Sequence, residues 1–414
     1  MTNADRQFNK KKIINDPVYG FVTIPSELIY DLIEHPYFQR LRRIKQLGLS
    51  NWVYPGALHT RFQHVIGAMS LTAQAVDLLR WKGIVISDEE KDAVCAAVLL
   101  HDMGHGPYSH TLEQVLIKDV HHESISLAFM ELLNTEMNGR LDMAVAIFTN
   151  KYPRKFLHQL VSSQLDMDRL DYLRRDSFYT GVQEGVIGHD RIINMLNVYE
   201  DEMVIDEKGI YSIEKFLIAR RLMYWQVYLH KTVIAAESLL VKIMQRAVSL
   251  ASNGVELFAT PAFQTFLYER PNRAQFFTDP RFLTLYSQLD DYDVFTSVKV
   301  WCNHSDKILS MLCKQLVNRD LPKVEIQSDP FLISDIDARL EKAATNYGIT
   351  KDEASFFVYS ESVMNKAYSP EGFTIKVLYR NGDVKDIADA SDQYNISALA
   401  KPVTKYFLCY PKKA

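Results

Sequence analysis

The chain carries a His101-Asp102 pair at the end of a continuous apolar run, and a glycine-rich turn with a further histidine, His105, follows it. Burying such polar groups is costly unless a partner satisfies them. With His64 upstream and Asp168 downstream, the sequence offers two imidazoles and two carboxylates, a ligand set suited to a divalent transition metal. The alternative treats each histidine as a satisfied core residue or a helix cap.

Two further patterns indicate phosphate chemistry. Arg61 precedes His64 by about one helical turn, which places a guanidinium beside the metal, where a phosphate needs it. Downstream, cationic and aromatic residues recur at helical spacing and predict one stripe on a helix. Its members are Arg220, Tyr224, Tyr228 and Lys231. The alternative is an ordinary amphipathic face whose long side chains reach solvent.

The elements that must position these residues are mostly predicted to be helices. A helix carries His64, and a capping box at Ser87 to Glu90 opens the apolar helix that ends at His101. Another helix begins near Asp166 and carries Asp168, Tyr172 and Asp176 on one stripe. We also expect helices over 27–47, over 213–252 and within 260–320.

The C-terminal part changes character. The segments 355–360 and 373–380 are rich in β-forming residues, and Arg380-Asn381-Gly382-Asp383 predicts a hairpin turn. A final strand is predicted over 405–410, and a short strand near Gly20 at the other end of the chain. The expected fold is mainly α, with a smaller α+β C-terminal unit.

Composition narrows the class of protein. The 414 residues carry a net charge of −4, which disfavours nucleic-acid binding through a broad basic surface without excluding a local basic cleft. The four cysteines are scattered without a CxxC pair, which excludes a zinc ribbon. The N-terminus lacks a signal-peptide core, and we find no apolar run of membrane-spanning length. We therefore expect a cytoplasmic protein without a membrane partner.

An ordered set of motifs resembles the HD-domain deoxynucleoside triphosphate triphosphohydrolases, in the branch that includes the sterile-alpha-motif/HD-domain enzyme. The resemblance runs from about Lys12 to the C-terminus, and no sterile-alpha-motif domain precedes it, as in a bacterial-type member with only the catalytic core. The motifs are Asn15-Asp16-Pro17, Phe38 to Gly48, Tyr54 to Ala57, Arg61 to His64, His101 to His110, His122-Glu123 and Asp166 to Tyr172.

The resemblance implies an HD-domain helical bundle that hydrolyses dNTPs to a deoxynucleoside and inorganic triphosphate. It implies one divalent transition metal per subunit on His64, His101, Asp102 and Asp168, with iron, manganese, zinc or nickel all compatible, and Mg2+ with the nucleotide phosphates. The catalytic candidates are His105, His110, His122, Glu113 and Glu123. Glu113 stands where the family leads us to expect aspartate.

The same resemblance supplies substrate residues. The matched positions are Gln46, Leu47, Arg61, Arg169, Tyr172, Asp176, Arg220, Tyr224, Tyr228 and Lys231. Arg169 stands where the family leads us to expect lysine. The planar guanidinium group of arginine is not equivalent to the compact ammonium group of lysine. We expect Gln46, Leu47 and Asp176 at the sugar and the cations at the triphosphate.

The resemblance also implies a homotetramer, because members of that family form homotetramers, commonly with nucleotides bound at regulatory sites between subunits. The matching positions are Lys12, Ile13, Asn15, Gln39, Arg42 and Arg191. The alternative is a basic N-terminal segment that pairs with its own helices. We divide the chain into an N-terminal segment (1–50), the HD core (51–200), a helical extension (201–330) and the C-terminal unit (331–414).

Two other functions stay open. One is an HD phosphohydrolase acting on a different nucleotide, such as a cyclic nucleotide or guanosine tetraphosphate. The other is a nucleotide-sensing or nucleic-acid-binding regulator with a vestigial HD site.

Overall fold

The computed structural model describes residues 12–366, 368–369, 373–392 and 401–412. Helices form most of the described chain, and short strands gather mainly toward the C-terminus. This confirms the expectation of a mainly α protein with a smaller α+β C-terminal part.

The helices of the first half are α1 (Glu27–Glu34), α2 (Pro36–Gln39), α3 (Arg61–Trp81), α4 (Asp88–Leu100), α5 (Glu113–Leu116), α6 (His122–Glu136), α7 (Asp142–Phe148), α8 (Lys155–Val161), α9 (Met167–Thr180) and α10 (His189–Met195). Those of the second half are α11 (Ile210–Met223), α12 (Lys231–Ser252), α13 (Pro261–Tyr268), α14 (Arg273–Thr278), α15 (Pro280–Tyr286), α16 (Asp291–Trp301), α17 (Lys307–Val317), α18 (Ile333–Tyr347), α19 (Lys351–Ala354) and α20 (Ile387–Ala390).

The strands form three small sheets. An antiparallel hairpin joins β1 (Ile13–Asp16) and β2 (Gly20–Thr23). The second sheet has the order β3 (Leu196–Tyr199), β4 (Glu202–Asp206), β7 (Lys376–Leu378), β8 (Val384–Asp386), with β4 and β7 parallel. The third is antiparallel, in the order β5 (Lys323–Gln327), β9 (Val403–Tyr410), β6 (Tyr359–Asn365).

Helix α3 lies in the helical body of the protein and packs against both α4 and α9. The last turns of α4, from Ala93 to Leu100, are buried throughout, so this helix delivers its carboxyl end into the interior. A hydrophobic core that includes residues from Val22 to Ile387 holds the bundle together. The predicted ligands therefore sit on rigid, packed helices.

Two long helices predicted from the sequence are each interrupted in the structure. The helix expected over 27–47 stops at Glu34, and Pro36 opens a separate short helix followed by a 3-10 turn over Arg40–Arg43. Proline lacks the N–H that a continuing helix requires. The helix expected over 213–252 is broken at Leu229 and His230, after a π-helical segment over Tyr224–Tyr228.

The predicted start and stop signals are largely confirmed. Ser87 and Glu90 form the capping box of α4, and Asp166 caps α9. Gly382, at a φ of +87°, makes the turn between β7 and β8. The pairing of β7 with β4 was not predicted, and it joins the C-terminal part to a strand of the central body. The four-segment division stays a prediction.

None of the helices in the described parts of the chain combines the length and the apolar character needed to span a bilayer.

Candidate metal centre and adjoining cavity

Helix α4 presents the histidine–aspartate pair at its carboxyl end, where His101 takes the C-cap position. Nδ1 of His101 lies 2.6 Å from the carbonyl oxygen of Val98, which leaves Nε2 for another partner. Gly104 is required in the following turn, because a Cβ there would lie 2.0 Å from the carbonyl oxygen of His122. Close approach of the backbone therefore explains the glycine at this position.

The four predicted metal ligands converge on one point. Nε2 of His64 lies 2.9 Å from Oδ1 of Asp168, and Nε2 of His101 lies 3.5 Å from the same oxygen. Oδ1 of Asp102 is 3.3 Å from Nε2 of His101, and its Oδ2 is 3.7 Å from Nε2 of His64. Two imidazole nitrogens and two carboxylates thus face one another.

These donor atoms fit a divalent metal. Nε2 of His64 is buried and makes no well-directed hydrogen bond among the described residues, although Oδ1 of Asp168 lies 2.9 Å away. A buried polar atom without a directed hydrogen bond is costly. The ligand atoms of His64, His101 and Asp168 lie within 4.8 Å of one another. A positive ion held by these nitrogens and carboxylate oxygens would satisfy the unpaired nitrogen.

The electrostatics of the cluster are dominated by attraction between its members. Burial lowers the pKa of His64, but Asp168 and Asp171 outweigh it and raise the pKa to about 10. For His101, Asp102 and Asp168 outweigh burial in the same way and raise the pKa to about 9. In turn, the two imidazoles hold the pKa of Asp168 below its ordinary value against the effect of burial. The negative charge of these carboxylates, which favours a positive charge on the two rings, would favour a metal cation in the same way.

A buried ion-pair network fixes His64. Oδ2 of Asp171 lies 2.7 Å from Nδ1 of His64, and Arg175 donates to both oxygens of Asp171 at 2.9 and 3.0 Å. Arg175 also donates to Asp16, at the end of β1, at 2.7 Å. Gly67 makes room for the network, since a Cβ there would lie 2.0 Å from Oδ1 of Asp171. The network sets the ring orientation and leaves Nε2 facing the centre.

Arg61 lies beside the centre, as expected. It is 3% exposed, and its Nη1 donates to Oδ2 of Asp102 while its Nε donates to Oγ of Ser109 at 2.8 Å. Arg61 therefore braces one of the predicted ligands and also lines the adjoining cavity.

Three further histidines form a cluster next to the ligands. The ring centroids of His105 and His122 are 3.8 Å apart, and that of His110 lies 4.9 Å from His105. Glu113 joins two of them, with its carboxylate oxygens 3.2 Å from Nδ1 of His110 and 3.0 Å from Nδ1 of His122. Glu123 is more peripheral, 3.6 Å from Nε2 of His122 and largely exposed.

The surroundings of His105 and Glu113 determine their protonation. Burial and the nearby Arg61 guanidinium keep the pKa of His105 well below its usual range, so this imidazole is neutral. Its Nδ1 lies 3.2 Å from Oδ1 of Asp102, and its Nε2 is buried without a partner among the described residues. Burial alone would raise the pKa of Glu113, but hydrogen bonds from His110 and His122 outweigh burial and lower that pKa. Glu113 is therefore an ionised acceptor for both rings.

A cavity of about 570 Å³ adjoins the centre. Most of the predicted substrate residues line it, together with the predicted ligand Asp168 and with His110. These substrate residues are Gln46, Leu47, Arg61, Arg169, Tyr172, Asp176, Tyr224 and Tyr228. The Tyr228 hydroxyl donates to Oδ2 of Asp176 at 2.7 Å, and His59 lies 2.8 Å from the other carboxylate oxygen. This pairing fixes the Tyr228 ring as a wall of the cavity.

The other predicted substrate-binding cations, Arg169, Arg220 and Lys231, differ in their surroundings. Arg169 lines the cavity, and its Nε donates to the carbonyl oxygen of Ser163 at 2.7 Å. Arg220 has two buried guanidinium nitrogens, Nε and Nη1, without partners among the described residues. Lys231 is exposed and lies against a separate cavity with Trp225 and Lys405, because the break after Tyr228 separates it from the stripe.

The predicted regulatory residues lie at the surface and contact their own chain. Nζ of Lys12 stacks 3.3 Å from the centroid of the Tyr30 ring, and the Arg42 guanidinium lies 3.5 Å from that of Phe62. Arg42 also donates to Gln39 at 2.7 Å. Ile13 and Asn15 are exposed on β1, and Arg191 donates to the carbonyl oxygen of Lys208 at 3.0 Å.

The sequence reading missed several residues that organise the site. Arg175 and the role of Asp171 could have been found, because Asp168, Asp171 and Arg175 recur at spacings of three and four on one helix. His59 and Glu237 gave no such signal, since only the fold brings them to the cavity.

Comparison with known proteins agrees with this geometry. Residues 61–175 match the HD domain, and residues 187–260 match the HD associated region. A crystal structure of a phosphohydrolase from Bacteroides thetaiotaomicron is 55% identical, with a TM-score of 0.94 over 97% of this chain and 100% of that one.

Two curated relatives extend the comparison. The uncharacterized protein YwfO of Bacillus subtilis is 33% identical, and the match covers 100% of this chain and 95% of that protein. The deoxynucleoside triphosphate triphosphohydrolase SAMHD1 homolog of Dictyostelium discoideum is 31% identical over 53% of this chain and 46% of its own length. With the His64, His101, Asp102 and Asp168 cluster in place, the chain belongs to the HD-domain phosphohydrolase family.

Proposed function

We propose that this protein hydrolyses deoxynucleoside triphosphates to a deoxynucleoside and inorganic triphosphate. The observation that carries the proposal is the position of the ligand cluster at the edge of a cavity that combines arginines with the Asp176–Tyr228 pair. Arginines suit a triphosphate, and a carboxylate beside an aromatic ring suits a deoxyribose. The name of the Dictyostelium relative supports the same substrate class.

The ligand cluster would hold one divalent transition metal per subunit, with Mg2+ accompanying the phosphates. When bound, such an ion polarises a phosphate oxygen and lowers the pKa of water. The four ligands His64, His101, Asp102 and Asp168 supply the site, while Arg61 and the Asp171 network hold two of them in place.

The histidine cluster would accept and donate hydrogen bonds and protons during the reaction. Neutral His105 presents an unpaired Nε2 that can accept a hydrogen bond from the attacking water. His110, on the cavity wall and held by Glu113, would give its proton to the 5′-oxygen as the bond from that oxygen to the α-phosphorus breaks. The water oxygen then stays with phosphorus, and triphosphate leaves as one piece toward Arg169 and Arg220.

Regulation and assembly form a separate part of the proposal. We infer a homotetramer in which a nucleotide binds at the surface formed by Lys12, Ile13, Asn15, Gln39 and Arg42, with Arg191 at a second position. The support is that these side chains are exposed, apart from the half-buried Gln39, and that none of them lines the catalytic cavity.

The test is a panel of four dNTPs and four NTPs, with nucleoside and triphosphate separated by anion exchange. We expect triphosphate from dNTPs, loss of activity after chelation, and loss in His101→Gln. His304→Gln, which makes the same change outside the cavity, serves as the control. Release of pyrophosphate, or turnover of a cyclic nucleotide or guanosine tetraphosphate instead of dNTPs, would show that the substrate assignment is wrong.

A further inference from the structure

A carboxyl group that is not among the predicted site residues lines the catalytic cavity. Glu237, on α12, lines the cavity together with Gly48 and Thr111. A Cβ placed on Gly48 would lie 3.1 Å from Oε1 of Glu237, 3.7 Å from the carbonyl oxygen of Tyr108 and 3.8 Å from Oγ1 of Thr111. These oxygens therefore surround one point on the wall.

Two residues of this wall directly follow residues proposed for the sugar in the sequence. Gly48 comes directly after Leu47, and Leu229, which also lines the cavity, comes directly after Tyr228. Leu47 and Leu229 offer apolar surface for the faces of a planar ring. A nucleoside whose sugar lies against Asp176 and Tyr228 can therefore direct its base toward Glu237.

The cavity lining offers several hydrogen-bond acceptors. Oε1 of Gln46 is buried and has no hydrogen-bond partner in the described parts of the chain, and Gln46 lines the same cavity. The carbonyl of Tyr108 and the Glu237 carboxylate add further acceptors. The cationic lining residues, Arg61 and Arg169, belong to the wall beside the metal ligands and the Asp166–Asp168 segment.

We propose that Glu237 is a specificity residue that reads the hydrogen-bond donor edge of a guanine base. The proposal rests on the proposed function, since it names the base of the same substrate. Guanine presents a ring N–H and an adjacent amino group, two donors side by side that match the two oxygens of one carboxylate. Adenine and cytosine place an acceptor beside their amino group, and thymine has one ring N–H between two carbonyl groups.

The surroundings of the carboxyl favour additional hydrogen-bond donors. Burial raises the pKa of Glu237 to about 7, although the Thr111 hydroxyl and the Leu49 amide donate toward it and lower the pKa. A carboxylate held in such surroundings gains from two further donors, because a partly satisfied buried carboxylate is costly.

The experiment compares dGTP with dITP, which lacks only the 2-amino group. Turnover is measured as kcat/KM for the wild type, for Glu237→Gln and for Glu256→Gln. The last variant makes the same change at an exposed carboxyl just beyond α12 and is the control. We expect the wild type and the control to prefer dGTP by about tenfold or more, and this ratio to collapse toward one in Glu237→Gln.

A binding measurement separates this proposal from the proposed reaction. Deoxyguanosine and deoxyinosine are titrated calorimetrically into the same three proteins, and the same preference is expected without turnover. Hydrolysis of dNTPs with no preference between the two bases, in turnover or binding, overturns the role of Glu237 and leaves the reaction intact. Preferential binding of deoxyguanosine that depends on Glu237, with no dNTP hydrolysis, supports the role and refutes the reaction. If Glu237→Gln does not fold, the wild-type ratio alone decides, and a ratio of one overturns the proposal.

Discussion

Asp171 lies 2.7 Å from Nδ1 of His64, so this imidazole can present only Nε2 to the ligand cluster. The carboxylate is fully buried and is itself fixed by Arg175. A carboxylate behind a ligating histidine sets the tautomer and the orientation of the ring and raises its basicity as a ligand. The candidate metal centre therefore has predicted ligands that face one another and, behind His64, a supporting pair formed by Asp171 and Arg175.

Asp171→Asn should weaken metal binding by about 10- to 100-fold, because the amide cannot supply the charge that strengthens His64 as a ligand. Metal content after dialysis against graded chelator gives the affinity, and a melting curve reports on the loss of the pair with Arg175. Asp190→Asn, at an exposed carboxylate, is the matched control. Equal retention of metal by the two variants would contradict the account.

Glu113 should stabilise the fold in a pH-dependent way. Its pKa is lowered in the folded protein by hydrogen bonds from His110 and His122, which outweigh burial. The stabilisation is therefore fully present above the unfolded pKa of about 4.3, and it is lost as the pH falls below that value toward the folded pKa.

Denaturant titrations of the wild type and Glu113→Gln test this dependence. The variant should be less stable by about 1–3 kcal/mol near pH 6, and the gap should narrow as the pH falls below 4. Glu136→Gln, at a half-exposed carboxylate, provides the comparison. A gap that stays constant or widens in acid would mean that Glu113 is not an ionised acceptor.

Tyr228 should exclude ribonucleotides through its ring. Tyr228→Ala removes the wall, whereas Tyr228→Phe keeps the ring and removes only the hydrogen bond to Asp176. The ratio of kcat/KM for dGTP over GTP should fall by about tenfold or more in the alanine variant and by less in the phenylalanine variant. Unchanged ratios in both variants would place sugar discrimination elsewhere, with Leu47 the next candidate.

Arg42→Ala should abolish nucleotide activation or weaken the tetramer while leaving the metal in place, because Arg42 lies at the surface, away from the ligand cluster. Sedimentation with and without dNTPs, together with metal analysis, measures both effects. Arg140→Ala, an exposed arginine paired with Asp31, is the control. Activity and assembly that depend on neither added nucleotide nor Arg42 would make the segment purely structural.

Local signals in the sequence predicted two of the helices that carry the site. The capping residues Ser87 and Asp166 placed α4 and α9, and those helices carry the HD pair and Asp168. The signals failed where tertiary packing overrode periodicity. The stripe of Arg220, Tyr224, Tyr228 and Lys231 assumed one helix, but a π-helical segment and a break at His230 turn Lys231 away.

Other features depend on contacts between distant segments. Asp16 meets Arg175 across 159 positions, and His59 meets Asp176 across 117. No local pattern encodes such pairs, so the contact of Asp16 with Arg175 and that of His59 with Asp176 became visible only in the folded chain.

The most direct test of the central claim is hydrolysis of dGTP in 18O-labelled water by the metal-loaded wild type, with His101→Gln in parallel. The account predicts triphosphate carrying one labelled oxygen, unlabelled deoxyguanosine, and neither product from the variant, because water attacks the α-phosphorus at the HD centre. Label in the nucleoside, pyrophosphate with a nucleoside monophosphate, or equal turnover by His101→Gln would contradict it.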